Sequence, residues 1–179
     1  MRLFPDDYID SIYDIDFKTL YDQGYRALLF DVDNTLVPHG APANRRAKRF
    51  FAYLRECGIR SMALSNNREL RVKSFCDETG ADGYIFLANK PSSRSYKEAM
   101  ERLGVTPEQT IFVGDQLFTD IWGAANAGVR SVLVRPVRKW KEEPQIILKR
   151  FLEAVILVAY RIKVAIAGVS DPVPKKTLN

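Results

Sequence analysis

The sequence has one histidine, two cysteines and no charge-free apolar run long enough to span a bilayer. A lone His39 excludes triads or metal sites that need a second imidazole, and its expected place is a loop with no catalytic duty. Cys57 and Cys76 show neither CxxC nor Cys/His spacing, which excludes a disulfide framework and a zinc site. They read as buried thiols of a reducing compartment, with the cytoplasm as the default. Met1 to Leu20 carries Asp6, Asp7, Asp10, Asp14 and Asp16 where a secretory signal would have a basic start and an apolar run. The longest apolar stretch, Phe151 to Val169, is interrupted by Glu153, Arg161 and Lys163, so a helix lying on a surface is expected rather than a spanning one.

What is present is a chain of 179 residues, 46% hydrophobic, enough for one sizeable core and too little for two. A single domain over residues 1–179 is expected, with a core at about 24–136, an N-terminal helical segment at 8–22 and a C-terminal helix at about 144–168. The formal net charge of +5 favours anionic partners without choosing among phosphates, nucleic acid and lipid.

The central region alternates strand and helix patterns without a repeat, which predicts an α/β fold around a parallel sheet. Expected strands are Tyr25 to Phe30, Ile59 to Leu64, Gly83 to Leu87, Thr110 to Val113 and Ser131 to Val134. Expected helices run from Asn44 to Cys57, Arg68 to Thr79, Ser93 to Leu103 and Thr119 to Ala127, each closed by a glycine. The tail beyond Gly168 reads as a frayed terminus. Ligands of such sheets sit beyond the carboxyl ends of the strands. Asp31, Ser65, Lys90 and Asp115 each fall just past an apolar strand, an order that core packing alone does not require.

Asp31 and Asp33 are one residue apart, so an extended backbone directs both carboxylates to one side. One carboxylate can attack phosphorus to give an aspartyl-phosphate, while the other protonates the leaving oxygen and then activates water. Asp31 is assigned the first role and Asp33 the second. Two carboxylates repel a phosphate dianion, so a cation is needed, and Mg²⁺ prefers oxygen donors. Asp115 is the natural third ligand, and Asp120 is expected to bind the metal or its water, with Gly114 leaving room. Ser65 and the backbone around Asn66 and Asn67 can hydrogen-bond phosphate oxygens, and Lys90 adds a positive charge. Taken singly, each of these could be a turn or cap residue. Trp122 and Trp140 read as packing residues, since no aromatic-basic repeat accompanies them.

Asp31-Val32-Asp33-Asn34-Thr35, Ser65, Lys90 and Gly114-Asp115 with Asp120 resemble, in order, the four motifs of haloacid dehalogenase-like phosphatases. The resemblance implies a Rossmann-like parallel sheet with helices on both faces, Mg²⁺, nucleophile Asp31 and acid/base Asp33. It also implies phosphate contacts from Thr35, Ser65, Asn66 and Lys90, and metal binding by Asp31, Asp33 through its backbone carbonyl, Asp115 and Asp120. Pro5-Asp6, Ser11 to Ile15 and Ala88-Asn89-Lys90-Pro91 further resemble the YqeG group, which is similar to phosphatidylglycerophosphate phosphatases.

Thr35 to Ser65 and Ser65 to Lys90 are each too short to hold a cap domain, so an open site is expected. An open site suits a phosphate at a membrane surface. On a helical wheel Lys149, Arg150, Glu153, Tyr160, Arg161 and Lys163 share one side, and Val155, Val158, Ala159, Ile162 and Ile166 lie largely opposite. Arg45, Arg46, Lys48 and Arg49 could hold acidic head groups, at about 1 kcal/mol for each basic residue near an anionic surface. The expected function is therefore hydrolysis of phosphatidylglycerophosphate to phosphatidylglycerol by a cytoplasmic enzyme, peripheral on the inner face of the cell membrane. Alternatives are a soluble phosphatase acting on a sugar, nucleotide or protein phosphate, and a non-catalytic RNA- or protein-binding module. Nucleic acid is not expected as a partner, and the oligomeric state is not readable.

Overall fold

The apolar runs that precede the candidate site residues pair side by side in one six-stranded sheet, parallel throughout. The computed structural model describes residues 3–137, 144–168 and 171–176, with residues 144–151 described as helix backbone alone. Along the chain run β1 (Asp7–Ile9), α1 (Phe17–Asp22), β2 (Ala27–Phe30), α2 (Arg45–Glu56), β3 (Arg60–Leu64) and α3 (Glu69–Thr79). Then follow β4 (Gly83–Ile85), α4 (Arg94–Leu103), β5 (Thr110–Gly114), α5 (Trp122–Asn126), β6 (Arg130–Val134) and α6 (Pro144–Ala167). The strand order is β1-β6-β5-β2-β3-β4, so the chain reverses its direction of growth at β2, between β3 on one side and β5 on the other.

Strand alternation explains why both faces are covered. Leu28 and Phe30 of β2 point to a cluster holding Phe50, Phe51 and Leu54 of α2 with Val72 and Phe75 of α3. Ala27 and Leu29 point the other way, to Tyr96, Ala99, Met100 and Leu103 of α4 and Ala124 of α5. All four residues of β2 are fully buried, which is why the strand reads as a continuous apolar run rather than an alternating one. Between Thr35 and Ser65 the chain has room only for a loop, α2 and β3, and no large cap is present among the described residues.

Local chemistry sets the helix ends. Asn44 caps α2 by accepting from the Ala47 N–H, and Gly80 and Gly104 close α3 and α4 in the left-handed conformation. Three parts depart from the sequence expectation. Asp7–Ile9, of which residues 8 and 9 fall in the expected helical segment, form β1, because Asp6 and Asp7 are drawn to β6: Asp6 accepts from Ser131 and Asp7 pairs with Arg130 at 3.0 Å. Only α1, capped by Asp16, and a 3₁₀ turn at Ile12–Asp14 remain helical in that segment. Residues 171–176 are not frayed. Val173 is buried and its N–H donates to Asp7 at 2.8 Å, while Asp16 N–H donates to Pro174 and Lys176 N–H to Asp14. The region expected as one helix from Thr119 begins as a π-helical turn, Leu117–Ile121, before α5.

Candidate active site

The reversal point lies at the carboxyl ends of β2 and β5, and these ends carry Asp31 and Asp115. Lys90 reaches them from the loop after β4. Its Nζ lies 2.7 Å from Asp31 Oδ1 and 2.7 Å from Asp120 Oδ1, with all three side chains at least nine-tenths buried. Asp31, Asp115 and Asp120 each offer a carboxylate oxygen, and these oxygens lie within 4.8 Å of one another. Three hard oxygen donors at one point, with a single lysine among them, form a donor set suited to a divalent cation such as Mg²⁺. Burial drives the Asp31 carboxyl up to about 7, against the pull of Lys90, and the Asp120 charge pushes the same way. Lys90 is raised above its ordinary value, because Asp120 and Asp31 together outweigh its own burial.

The surroundings fix these side chains. Gly114 is needed as glycine: a Cβ there would sit 2.5 Å from Asp120 Oδ2. Asp120 Oδ2 also accepts from the Gln116 N–H, and the buried Tyr96 hydroxyl donates to the Asp120 carbonyl at 3.1 Å. Asn66 spends its side chain on the Lys90 backbone, accepting from its N–H at 2.8 Å and donating to its carbonyl, so it positions the lysine. Ser65 is buried, with its Oγ accepting from the Asn67 N–H, and Thr35 Oγ1 is buried without a hydrogen-bond partner.

Asp33 does not join the carboxylate cluster by its side chain. After β2 the chain turns at Asn34, whose φ of 63° suits asparagine, and Asp33 Oδ1 accepts from the Gly40 N–H at 2.9 Å. Arg71 on α3 lies 2.8 Å from the same oxygen, and Asn67 Nδ2 lies 3.1 Å from Oδ2. Burial would raise this carboxyl, but the hydrogen bonds from Arg71, Gly40 and Asn67 prevail and hold it below the usual carboxylate range.

No pattern in the sequence points to Arg71, Tyr96 or the inward role of Glu153, because their partners are remote in the chain. Glu153 on α6 is buried and accepts from the Leu117 N–H at 2.9 Å, so it braces the loop between Asp115 and Asp120. On α6, Glu153 and Tyr160 face inward, and Leu152, Val155, Val158, Ile162 and Ile166 are exposed. Trp140 lies outside the described residues, and of Lys149 and Arg150 the helix backbone alone is described. No helix among the described residues is long and apolar enough to cross a membrane.

Over 134 residues, 74% of this chain and 77% of the relative, the sequence is 34% identical to the probable phosphatase YqeG of Bacillus subtilis. The chain belongs to the haloacid dehalogenase-like phosphatases. Within that family it falls in the YqeG group, and a HAD-hydrolase-like family model matches residues 87–154. It is 29% identical over 154 residues to phosphatidylglycerophosphate phosphatase 1, chloroplastic/mitochondrial, of Arabidopsis thaliana, covering 80% of this chain but 44% of the plant protein. Among solved structures, an uncharacterized protein of Corynebacterium glutamicum aligns at a TM-score of 0.52 with 17% identity, covering 76% of this chain and 93% of that one. The latter likeness concerns the fold alone. For a haloacid dehalogenase-like phosphatase, the arrangement supplies a buried carboxylate beside a lysine, further acidic oxygens, and a second carboxylate two residues on.

Proposed function

We propose that this chain is a Mg²⁺-dependent phosphomonoester hydrolase that works through an aspartyl-phosphate on Asp31 and converts phosphatidylglycerophosphate to phosphatidylglycerol at a membrane surface. The observation that carries the chemistry is the meeting of Asp31, Asp115, Asp120 and Lys90 at adjacent strand ends. Asp31, Asp115 and Asp120, with the Asp33 carbonyl, would hold Mg²⁺, which supplies charge neutralisation for the phosphoryl oxygens. Asp31 Oδ attacks phosphorus as the bond to the leaving alkoxide breaks, and Asp33, once protonated, donates its proton to that oxygen. Asp33 then takes a proton from water, which attacks the same phosphorus. The P–Oδ bond breaks, and inorganic phosphate and free Asp31 result. Lys90 balances the charge of Asp31 and the transferring group, while Ser65, Thr35 and the Asn66 backbone hydrogen-bond its oxygens.

Three features support a lipid substrate: the absence of a large cap among the described residues, the similarity to the plant phosphatase, and α6. Its exposed apolar residues Val155, Val158, Ile162 and Ile166 are bordered by exposed Arg161 and Lys163, the composition of a helix that lies in an anionic interface. The enzyme then rests on the cytoplasmic face of the membrane. Purified protein with phosphatidylglycerophosphate in mixed micelles and Mg²⁺ tests the reading: phosphate release that stops with a chelator is expected. Turnover confined to soluble phosphates, without binding to anionic vesicles, would replace the lipid with a small metabolite or a protein phosphate.

A further inference from the structure

Arg71 is a half-used anion receptor at the edge of the site. Its guanidinium presents a side-on fork, Nε–H beside Nη2–H, the geometry that grips a carboxylate or phosphate with two parallel hydrogen bonds. Only one prong has a partner. Nη2 meets Asp33 Oδ1 at 2.8 Å, and Nε is buried without an acceptor. A buried donor left unmade costs stability, so an acceptor that arrives from outside is favoured there. The side chain is fixed but reachable: it keeps 17% of its surface exposed, and its Cζ lies 5.7 Å from the Phe75 ring centroid.

Asp33 does not depend on this arginine alone. It also accepts from the Gly40 N–H at 2.9 Å and from Asn67 Nδ2 at 3.1 Å, with His39 Nδ1 3.9 Å away. Arg71 can therefore turn from Asp33 toward an incoming anion while the carboxylate keeps other donors. Arg71 contacts Asp33, the carboxyl proposed to protonate the leaving oxygen, so an anion carried on the leaving alcohol would come near this guanidinium. A phosphomonoester whose leaving alcohol bears a second anion would bring an acceptor to that place.

We propose that Arg71 is a specificity-determining residue that binds a second anionic group of the substrate, a phosphodiester one glycerol unit from the scissile phosphate. The inference rests on the lipid-phosphatase reading and deepens it. It explains how an open site would select a phospholipid head group: two anions are read, one at the Lys90 cluster and one at the Arg71 fork.

The test compares two soluble phosphomonoesters with the same leaving hydroxyl, glycerol 3-phosphate and its analogue carrying a methyl phosphodiester on the far carbon, with Mg²⁺. Wild-type enzyme is expected to favour the diester-bearing compound by about tenfold or more in kcat/KM. In Arg71→Gln that ratio falls to within about twofold of unity, whatever the common loss of rate, and in Arg71→Lys part of it returns because a charge remains. A preference that survives in Arg71→Gln, or its absence from the wild type, overturns the inference and leaves Arg71 as a structural partner of Asp33. Phosphatidylglycerophosphate in mixed micelles, run alongside, separates the two ideas. Lipid hydrolysis without an Arg71-dependent ratio removes the receptor and keeps the lipid. An Arg71-dependent ratio without lipid hydrolysis keeps the receptor and removes the lipid.

Discussion

Asp31 is under opposing demands: in the proposed mechanism it must be ionised to attack phosphorus, yet burial pushes its carboxyl up to about 7. An acid raised on folding holds an extra proton in the folded state between its unfolded value, about 4, and its folded value, so stability falls as pH rises through that window. In EDTA, Asp31→Asn should therefore gain thermal stability over the wild type as pH goes from about 4.5 to 7.5. A melting-temperature difference that stays flat with pH would contradict it. With Mg²⁺ the wild type is expected to gain more stability than the variant, which lacks the carboxylate proposed to hold the cation. At Gly114 a methyl group would meet Asp120 at 2.5 Å, so Gly114→Ala should cost about 1–3 kcal/mol by chemical denaturation and abolish most phosphate release. Asp31, Lys90 and Asp115 were legible because each follows an apolar strand. Arg71 was not, because its partner Asp33 is 38 residues away and α3 shows only its own periodicity.

Elements carry the next level. The π-helical turn Leu117–Ile121 brings Asp120 back over Gly114, and α6 holds that turn through Glu153. Removing the acceptor leaves the Leu117 N–H buried, so Glu153→Ala should cost about 1–3 kcal/mol by denaturant titration and weaken Mg²⁺ binding by calorimetry. Glu153→Gln should retain most of both, since its carbonyl oxygen still accepts. The outer face of α6 has a separate task in the proposed lipid reading. Val158→Glu with Ile162→Glu should lower partition onto anionic vesicles by about tenfold or more while shifting stability by less than about 0.5 kcal/mol. A large fall in melting temperature would instead show those side chains to be part of a packed core. The helical wheel placed Glu153 and Tyr160 opposite the exposed Val155, Val158, Ala159, Ile162 and Ile166, but Arg161 and Lys163, grouped with Glu153 and Tyr160, are exposed as well. It could not reveal that the side with Glu153 and Tyr160 turns inward, since that depends on Leu117, Tyr8 and Phe4 far away in the chain. β1 was missed for a similar reason: its partner β6 lies more than 120 residues on, and three residues are too few for a period.

At the scale of the whole molecule, the parallel sheet and its covering helices followed from alternation and glycine stops, whereas the strand order required tertiary pairing. That order sets β2 between β3 and β5 and so gathers residues from separate stretches of sequence at one edge. In the proposed mechanism this gathering creates one reacting oxygen, on Asp31. The most direct measurement is an acid quench during turnover of a substrate radiolabelled in its phosphate, followed by peptide mapping. Label is expected on the peptide containing Asp31, labile to hydroxylamine, and absent from Asp31→Asn, which should release phosphate about a thousandfold or more slowly than the wild type. Label on another residue, or phosphate release by Asp31→Asn at the wild-type rate, would contradict the mechanism.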